Sequence, residues 1–348
     1  MKIGIIGHFG GNKTYLDGQT IKTKEINNYL EEHYKTKTYK FDTYKQARNP
    51  FKLIKMIIKT LKNNEIIIVI LSTRGYKIIT PLIMLFNKIY KKRIFDFVIG
   101  GKRYNIYKNN NLITKLTKKY ETIYVETEKI KKEYNKRNIN NVEVLENFKS
   151  LKKGKYRKTE PDNIKLCTFS RVIKEKGIND AIESVIESNK KLNKEVFELD
   201  IYGQIGKEYN QEFKNIISNS PKYIKYKGTI NYNKSVEILN NYDIMLFLTY
   251  YKNEGFAGTI IDALYAGLPV IATDWNSNFE VLKENYTGIS VAIKNIDEIS
   301  NKIIKLYNDK KKLNKMKENC LKESEKYTPE KAMKKFIDKI ERKNWIWI

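Results

Sequence analysis

Histidine and cysteine are nearly missing: the 348 residues hold 2 of each. Cys167 and Cys320 stand far apart, show no Cys-x-x-Cys spacing and build no metal-ligand cluster, which points to a reduced compartment. Long apolar runs are missing too. The longest, residues 78–90, is broken by Thr80, Pro81, Asn87 and Lys88 and is too short to span a bilayer. The opening run, residues 1–7, is too short for a signal peptide, so the expectation is a cytoplasmic protein. Acid is scarce: Lys and Arg number 67 against 40 Asp and Glu, a net +27. Residues 1–150 carry 31 basic against 13 acidic side chains, +18; the rest carry 36 against 27, +9. An AT-rich genome inflates lysine everywhere but should not favour one half. The first half therefore suits an anionic partner: phospholipid headgroups, nucleic acid or a phosphate-bearing substrate.

What is present is a repeating pattern. The length implies two domains, and 41% hydrophobic residues suffice for ordinary cores. Strand-like stretches at 2–6, 37–41, 66–71, 93–99, 122–125 and 142–145 alternate with helical periodicity at 21–30, 51–61, 78–90 and 128–137. Near-continuous aliphatic strands separated by helices signal a parallel sheet covered on both faces. Residues 147–161 are basic and poor in large aliphatics, like a linker. The pattern then restarts, with strands at 165–170, 197–202, 223–227, 243–248 and 269–272 and helices between them; a lysine-rich helical tail covers 310–342. The expected class is α/β, with two Rossmann-like domains, 1–150 and 151–330, and a tail at 331–348. A ligand cleft between them would lie at the carboxyl ends of the strands.

The strongest motif runs from Glu254 through Gly255, Phe256, Ala257, Gly258 and Thr259 to Asp262, and on through Ala-Gly-Leu-Pro-Val-Ile-Ala-Thr-Asp274. Small residues after a strand let backbone amides approach a ligand, and a helix opening at Thr259 offers its N-terminus to phosphate. Glu254 can accept hydrogen bonds from sugar hydroxyls. Spacing alone fits a generic βα loop equally well.

The stretch resembles the Glu-x7-Glu signature of family 4 glycosyltransferases. Phe-Ser-Arg171-Val-Ile-Lys-Glu-Lys176-Gly, Gly-His-Phe-Gly-Gly and Leu-Asp-Gly-Gln-Thr resemble the branch acting in capsular and exopolysaccharide synthesis. The resemblance implies the GT-B fold, with the final helix crossing back to the first domain. It implies retaining transfer of a sugar from a nucleoside diphosphate, with uridine the expected base, to a glycan acceptor on a lipid diphosphate. It implies that Arg171 and Lys176 hold the donor diphosphate and that Glu254 contacts the sugar beside Gly255, Phe256 and Ala257. It puts Asp262, a Glu in the family, on the ribose, and Gly203, Thr229 and Ile230 near the base. In the first domain Gly10, Gly11, Gly18 and Gln19 fall in the loop expected against the diphosphate, with His8 and Lys13 as further phosphate candidates. Gly100 and Gly101 would admit the acceptor, with Lys102 and Arg103 near its phosphates.

No Asp-x-Asp occurs, so the expectation is a metal-independent enzyme without a cofactor. A nucleotide-sugar epimerase of the same fold needs a cleft histidine that this chain hardly supplies. A nucleic-acid-binding protein leaves the acids at 254 and 262 unexplained. Residues 51–61 and the lysine that follows carry Lys52, Lys55, Lys59 and Lys62 along one face, suited to an anionic membrane surface or simply to water. Trp345 and Trp347 suit an interfacial anchor or a docked last helix.

Overall fold

The computed structural model describes residues 1–11, 18–44, 49–108, 110–159 and 162–342. The expectations for Lys13, Trp345 and Trp347 fall outside the described residues. The chain divides into two compact units, Met1–Lys149 with Pro329–Ile348, and Ser150–Thr328.

In unit 1 the elements are β1 (Ile3–Gly7), α1 (Gly18–Tyr34), β2 (Tyr39–Asp42), α2 (Pro50–Asn63), β3 (Ile66–Ile70), α3 (Thr73–Tyr90), β4 (Arg93–Phe97), α4 (Asn111–Thr117), β5 (Thr122–Val125), α5 (Glu128–Asn135) and β6 (Val142–Val144). The strands pair in parallel in the order β2-β1-β3-β4-β5-β6. β3, Ile-Ile-Ile-Val-Ile, is buried along its whole length, as a central parallel strand must be. Helix starts follow local chemistry. Asn49, Ser72 and Thr127 each accept a first-turn amide with a side-chain oxygen, and Pro50 sits where a missing N–H costs nothing. Helices α2 to α5 bury Leu53, Ile57, Tyr76, Ile79, Ile83, Ile113 and Tyr134 on one face of the sheet.

In unit 2 the elements are β7 (Ile164–Phe169), α6 (Ile178–Leu192), β8 (Phe197–Tyr202), α7 (Asn210–Ser218), β9 (Ile224–Gly228), α8 (Ser235–Leu239), β10 (Ile244–Phe247), α9 (Gly258–Tyr265), β11 (Val270–Thr273), α10 (Asn278–Val281), β12 (Gly288–Val291), α11 (Ile296–Asn308) and α12 (Lys310–Glu323). Here the order is β12-β11-β10-β7-β8-β9, again parallel. The stretch read as a linker is docked: Arg157 donates to Asn240 O, Tyr242 O and the Asp243 carboxylate, which Lys317 also contacts at 2.6 Å.

The tail is helical, in two pieces. The chain turns at Ser324–Tyr327, and Pro329, which lacks an N–H, starts α13 (Pro329–Glu341). α13 belongs to unit 1 and covers the other sheet face beside α1. Phe336 meets Phe95, Phe97 and Tyr124 edge-on at 5.1–5.8 Å. Arg93 caps its end by donating to Lys339 O and Ile340 O. Among the described residues no helix is long and apolar enough to cross a membrane.

Candidate active site

In an open parallel sheet a crevice forms where the strand order reverses direction. In unit 2 that point lies between β7 and β10. The chain leaving β7 makes a tight turn from Ser170 to Gly177, tied to the neighbouring loop by Val172 N–H donating to Gln204 O at 2.9 Å. Two glycines make the turn feasible. Gly177 has φ +68°, and a Cβ there would lie 2.2 Å from Leu248 O. Gly203 has φ +144°, and a Cβ would lie 1.6 Å from Ser170 O. Both positions exclude any side chain, so the turn presses against the ends of β8 and β10.

This close approach brings Lys176 and Glu254 together, 78 positions apart in the chain. The ammonium donates to Glu254 Oε2, which also accepts from Thr249 Oγ at 3.2 Å. Both donors use the same oxygen, and among the described residues Oε1 has no protein hydrogen bond. The side chains of the pair are only 8% and 12% exposed. Thr249 is itself held, receiving Thr273 Oγ on its carbonyl at 2.5 Å. Arg171 is exposed, makes no ion pair among the described residues, and lies over the Tyr251 ring at 5.1 Å. Asn253, which donates to the Tyr251 hydroxyl at 3.3 Å, and then the neighbouring Arg171 guanidinium hold its pKa below the ordinary phenol value. A cavity of about 450 Å³ opens on the side of the Arg171 turn that faces α7; its wall mixes Lys174 and Lys207 with Glu175, Glu208 and Glu212, and neither Lys176 nor Glu254 lines it. The arrangement sets two cations, one carboxylate oxygen without a protein partner and the Tyr251 ring side by side at the strand ends.

Gly255, Phe256 and Ala257 carry the chain from Glu254 into α9, which begins at Gly258 and Thr259. Its cap residue, Ala257, has no side-chain oxygen, so no side chain satisfies the first-turn amides. Asp262 is 2% exposed and accepts from Ser235 Oγ of α8 at 3.0 Å, so the short carboxylate faces the protein interior. Gly203 N–H donates to Gly228 O at 2.8 Å, setting Thr229, exposed, and Ile230, half-buried, beside the end of β8.

Unit 1 has its own reversal, between β1 and β3. Gln19 spans it, donating to Ile70 O at 3.2 Å. Gly18 is the first residue of α1 and not part of a loop. Gly10 and Gly11 turn at φ +84° and +56°, but around a protein carboxylate: Phe9 and Gly11 donate their N–H groups to Asp42 at 2.9 and 2.8 Å. His8 Nδ1 lies 2.7 Å from Thr20 Oγ. The expectation that Arg103 meets acceptor phosphates is corrected. Arg103 is 3% exposed, clamps both oxygens of buried Asp96 at 2.7 Å and donates to Leu71 O. A carboxylate inside an apolar strand must be paired, and Arg103, seven residues on, does so.

Sequence reasoning missed Asp42, Thr249 and Tyr251, whose only signal was their place at strand ends. It also missed Lys22 of α1, buried over the Phe148 ring at 3.0 Å. Burial pushes the Lys22 pKa down to about 7 against the pull of Glu25 and Glu126.

Known proteins share this architecture. Residues 148–323, just over half of the chain, match the family model described as glycosyl transferases group 1. An uncharacterized glycosyltransferase of Methanocaldococcus jannaschii is 26% identical over 47% of this chain and 41% of its own length. The GtfA subunit of the UDP-N-acetylglucosamine–peptide N-acetylglucosaminyltransferase of Streptococcus pneumoniae is 36% identical over 31% of this chain and 20% of its own. The chain thus spans less than half the length of these curated relatives. In fold, Anabaena HepE, solved in complex with UDP, is similar over 98% of this chain and 99% of its own, with a TM-score of 0.74 at 12% identity. With the matched segment reaching over nearly all of unit 2 and the whole Arg171–Lys176–Glu254 crevice, the chain belongs to the glycosyl transferases group 1 family.

Proposed function

We propose that the protein is a metal-independent, retaining glycosyltransferase that moves a sugar from a UDP-sugar to a lipid-linked glycan in surface polysaccharide synthesis. The observation that carries this reading is the Lys176–Glu254 pair with Arg171 beside it, at the strand-order reversal of unit 2. Its chemistry matches the charge changes of such a reaction. Arg171 and Lys176 neutralise the charge growing on the departing diphosphate. The uncapped start of α9 adds the positive end of a helix dipole. Glu254, fixed through Oε2, turns Oε1 to the sugar and supports its cationic transition state. The bond from the anomeric carbon to the phosphate oxygen breaks, the bond to the acceptor oxygen forms on the same face, and the acceptor proton passes to the departing phosphate oxygen. The UDP bound in the crystal structure of HepE, which has this fold, supports uridine as the base. The role of Asp262 narrows to supporting α9, because its carboxylate is buried against α8.

The test is a thermal-shift panel of UDP, GDP, ADP and CDP, each with Mg²⁺ and with EDTA. UDP alone is expected to raise the melting temperature, by the same amount in both. Stabilisation by none of them overturns the donor reading; stabilisation that EDTA abolishes overturns metal independence.

A further inference from the structure

Helix α3 is apolar on two opposite sides. Tyr76, Ile79, Thr80, Ile83 and Met84 face the sheet and are buried. Yet Ile78, Leu85 and Ile89, at spacings of 7 and 4 along the opposite side, are 60%, 56% and 74% exposed. None of the described residues covers them. Its neighbours α2 and α4, which pack on the same sheet face, add Phe51, 85% exposed, and Leu112, 61% exposed, each at the start of its helix. Isolated exposed apolar residues are ordinary, but a line of three along one helix, with one more on each helix beside it, asks for a partner.

The charge around them says which partner. α2, α3 and α4 contain no acidic residue at all. Between residues 43 and 120 the sequence has 18 Lys and Arg against 2 acids. One acid, Asp96, is buried and neutralised by Arg103. Arg74, Lys77 and Lys88 of α3 and Lys52, Lys55 and Lys59 of α2 are exposed among the apolar residues. Four of the five, including all three on α3, are aliphatic and give a nucleic acid nothing to stack on, and a second copy of so basic a surface would repel the first. A bilayer with anionic headgroups matches both components: apolar side chains enter the acyl boundary while lysines stay at the phosphate level.

We propose that α3, flanked by α2 and α4, is a membrane-docking face that lies flat on an anionic bilayer, with Ile78, Leu85 and Ile89 inserted and the surrounding lysines on the headgroups. α3 does not span, since its other side is committed to the sheet and Pro81 and the charges interrupt it. At 18 residues it offers a contact about 27 Å long. The inference stands on this surface alone and needs neither the donor nor the chemistry proposed above.

The experiment is co-sedimentation of the full chain with phosphatidylcholine vesicles and with mixed phosphatidylcholine–phosphatidylglycerol vesicles. The wild type is expected to bind the mixed vesicles only, and less as salt rises. The triple variant Ile78→Ser, Leu85→Ser, Ile89→Ser is expected to bind them at least ~tenfold more weakly. Because these side chains are exposed, it should melt like the wild type and respond to UDP identically. Wild-type chain that ignores the mixed vesicles, or a triple variant that binds them equally, overturns the proposal. So does a wild-type dimer in light scattering that the triple variant converts to monomer, which would assign the face to a second copy. Absent UDP stabilisation in both proteins would count against the donor reading and leave the vesicle result standing.

Discussion

Each unit holds a buried ion pair near the carboxyl ends of its strands, and the two are built differently. In unit 1, Arg103 grips both oxygens of Asp96, with a carbonyl taking up a further donor, and the side chains are 2% and 0% exposed. In unit 2, Lys176 and Thr249 share one oxygen of Glu254, and the second cation, Arg171, stands open. Saturation is the difference. A pair whose carboxylate oxygens are both taken inside the protein can only hold the protein together. A pair with an oxygen to spare and an exposed cation next to it can exchange partners with a ligand. Charge buried near a strand end is therefore not itself a sign of a site; the unfilled valence is.

The sharpest way to break that comparison is to remove one carboxylate from each pair. Asp96→Asn leaves the Arg103 charge buried without its counterion and should lower unfolding free energy by about 3–5 kcal/mol. Urea denaturation measures it, and a loss under about 1 kcal/mol would mean the pair is not what locks unit 1. Glu254→Gln should differ in kind. It also costs some stability, because Lys176 loses its counterion, but its larger effect is on turnover: kcat falls about a hundredfold or more and donor KM moves far less. An unchanged kcat would remove Glu254 from the chemistry.

Lys22 sharpens the contrast with a third case, a buried cation facing Glu25 and Glu126 rather than gripping one acid. Its folded pKa, about 7, lies below its unfolded value. The unfolded chain therefore binds the extra proton between these two values, so this group makes stability rise with pH above about 7 and adds no slope below it. Lys22→Met should be more stable than the wild type below about pH 7, with the gap shrinking by on the order of 2 kcal/mol by about pH 9. Melting curves across that range check it; a constant gap would show that Lys22 keeps its proton. The smallest effect is expected at Arg171. Arg171→Ala should leave melting within about 0.5 kcal/mol of wild type, as surface changes do, and weaken UDP stabilisation. Unchanged UDP stabilisation would restrict the donor contact to Lys176.

Much of the fold was legible because parallel strands buried on both faces read as aliphatic runs; β3 and β10 could hardly be anything else. β12, Gly-Ile-Ser-Val, was not legible, being four residues long with a glycine and a serine. The motif residues were visible one by one, but not the bond between Lys176 and Glu254, which depends on two glycines allowing a turn to meet a strand. Arg103 was misread because Gly-Gly-Lys-Arg looks like a phosphate loop, although a lone Asp96 amid Ile, Phe and Val already demanded a buried partner. For α3 the sequence shows apolar residues on both sides, and periodicity cannot say which side the sheet takes.

The placement of α13 bears on how the protein is made. Phe95, Phe97 and Tyr124 belong to strands synthesised early, yet the side chain that covers them, Phe336, comes after all of unit 2. On the ribosome, unit 2 has its whole sequence available and can close its core while the part of the unit 1 sheet face beside α1 is still bare. The first strands to emerge are the last to be sealed. A chain halted before Pro329 would carry a complete unit 2 and an aromatic sheet face open to water, the form that quality-control machinery recognises.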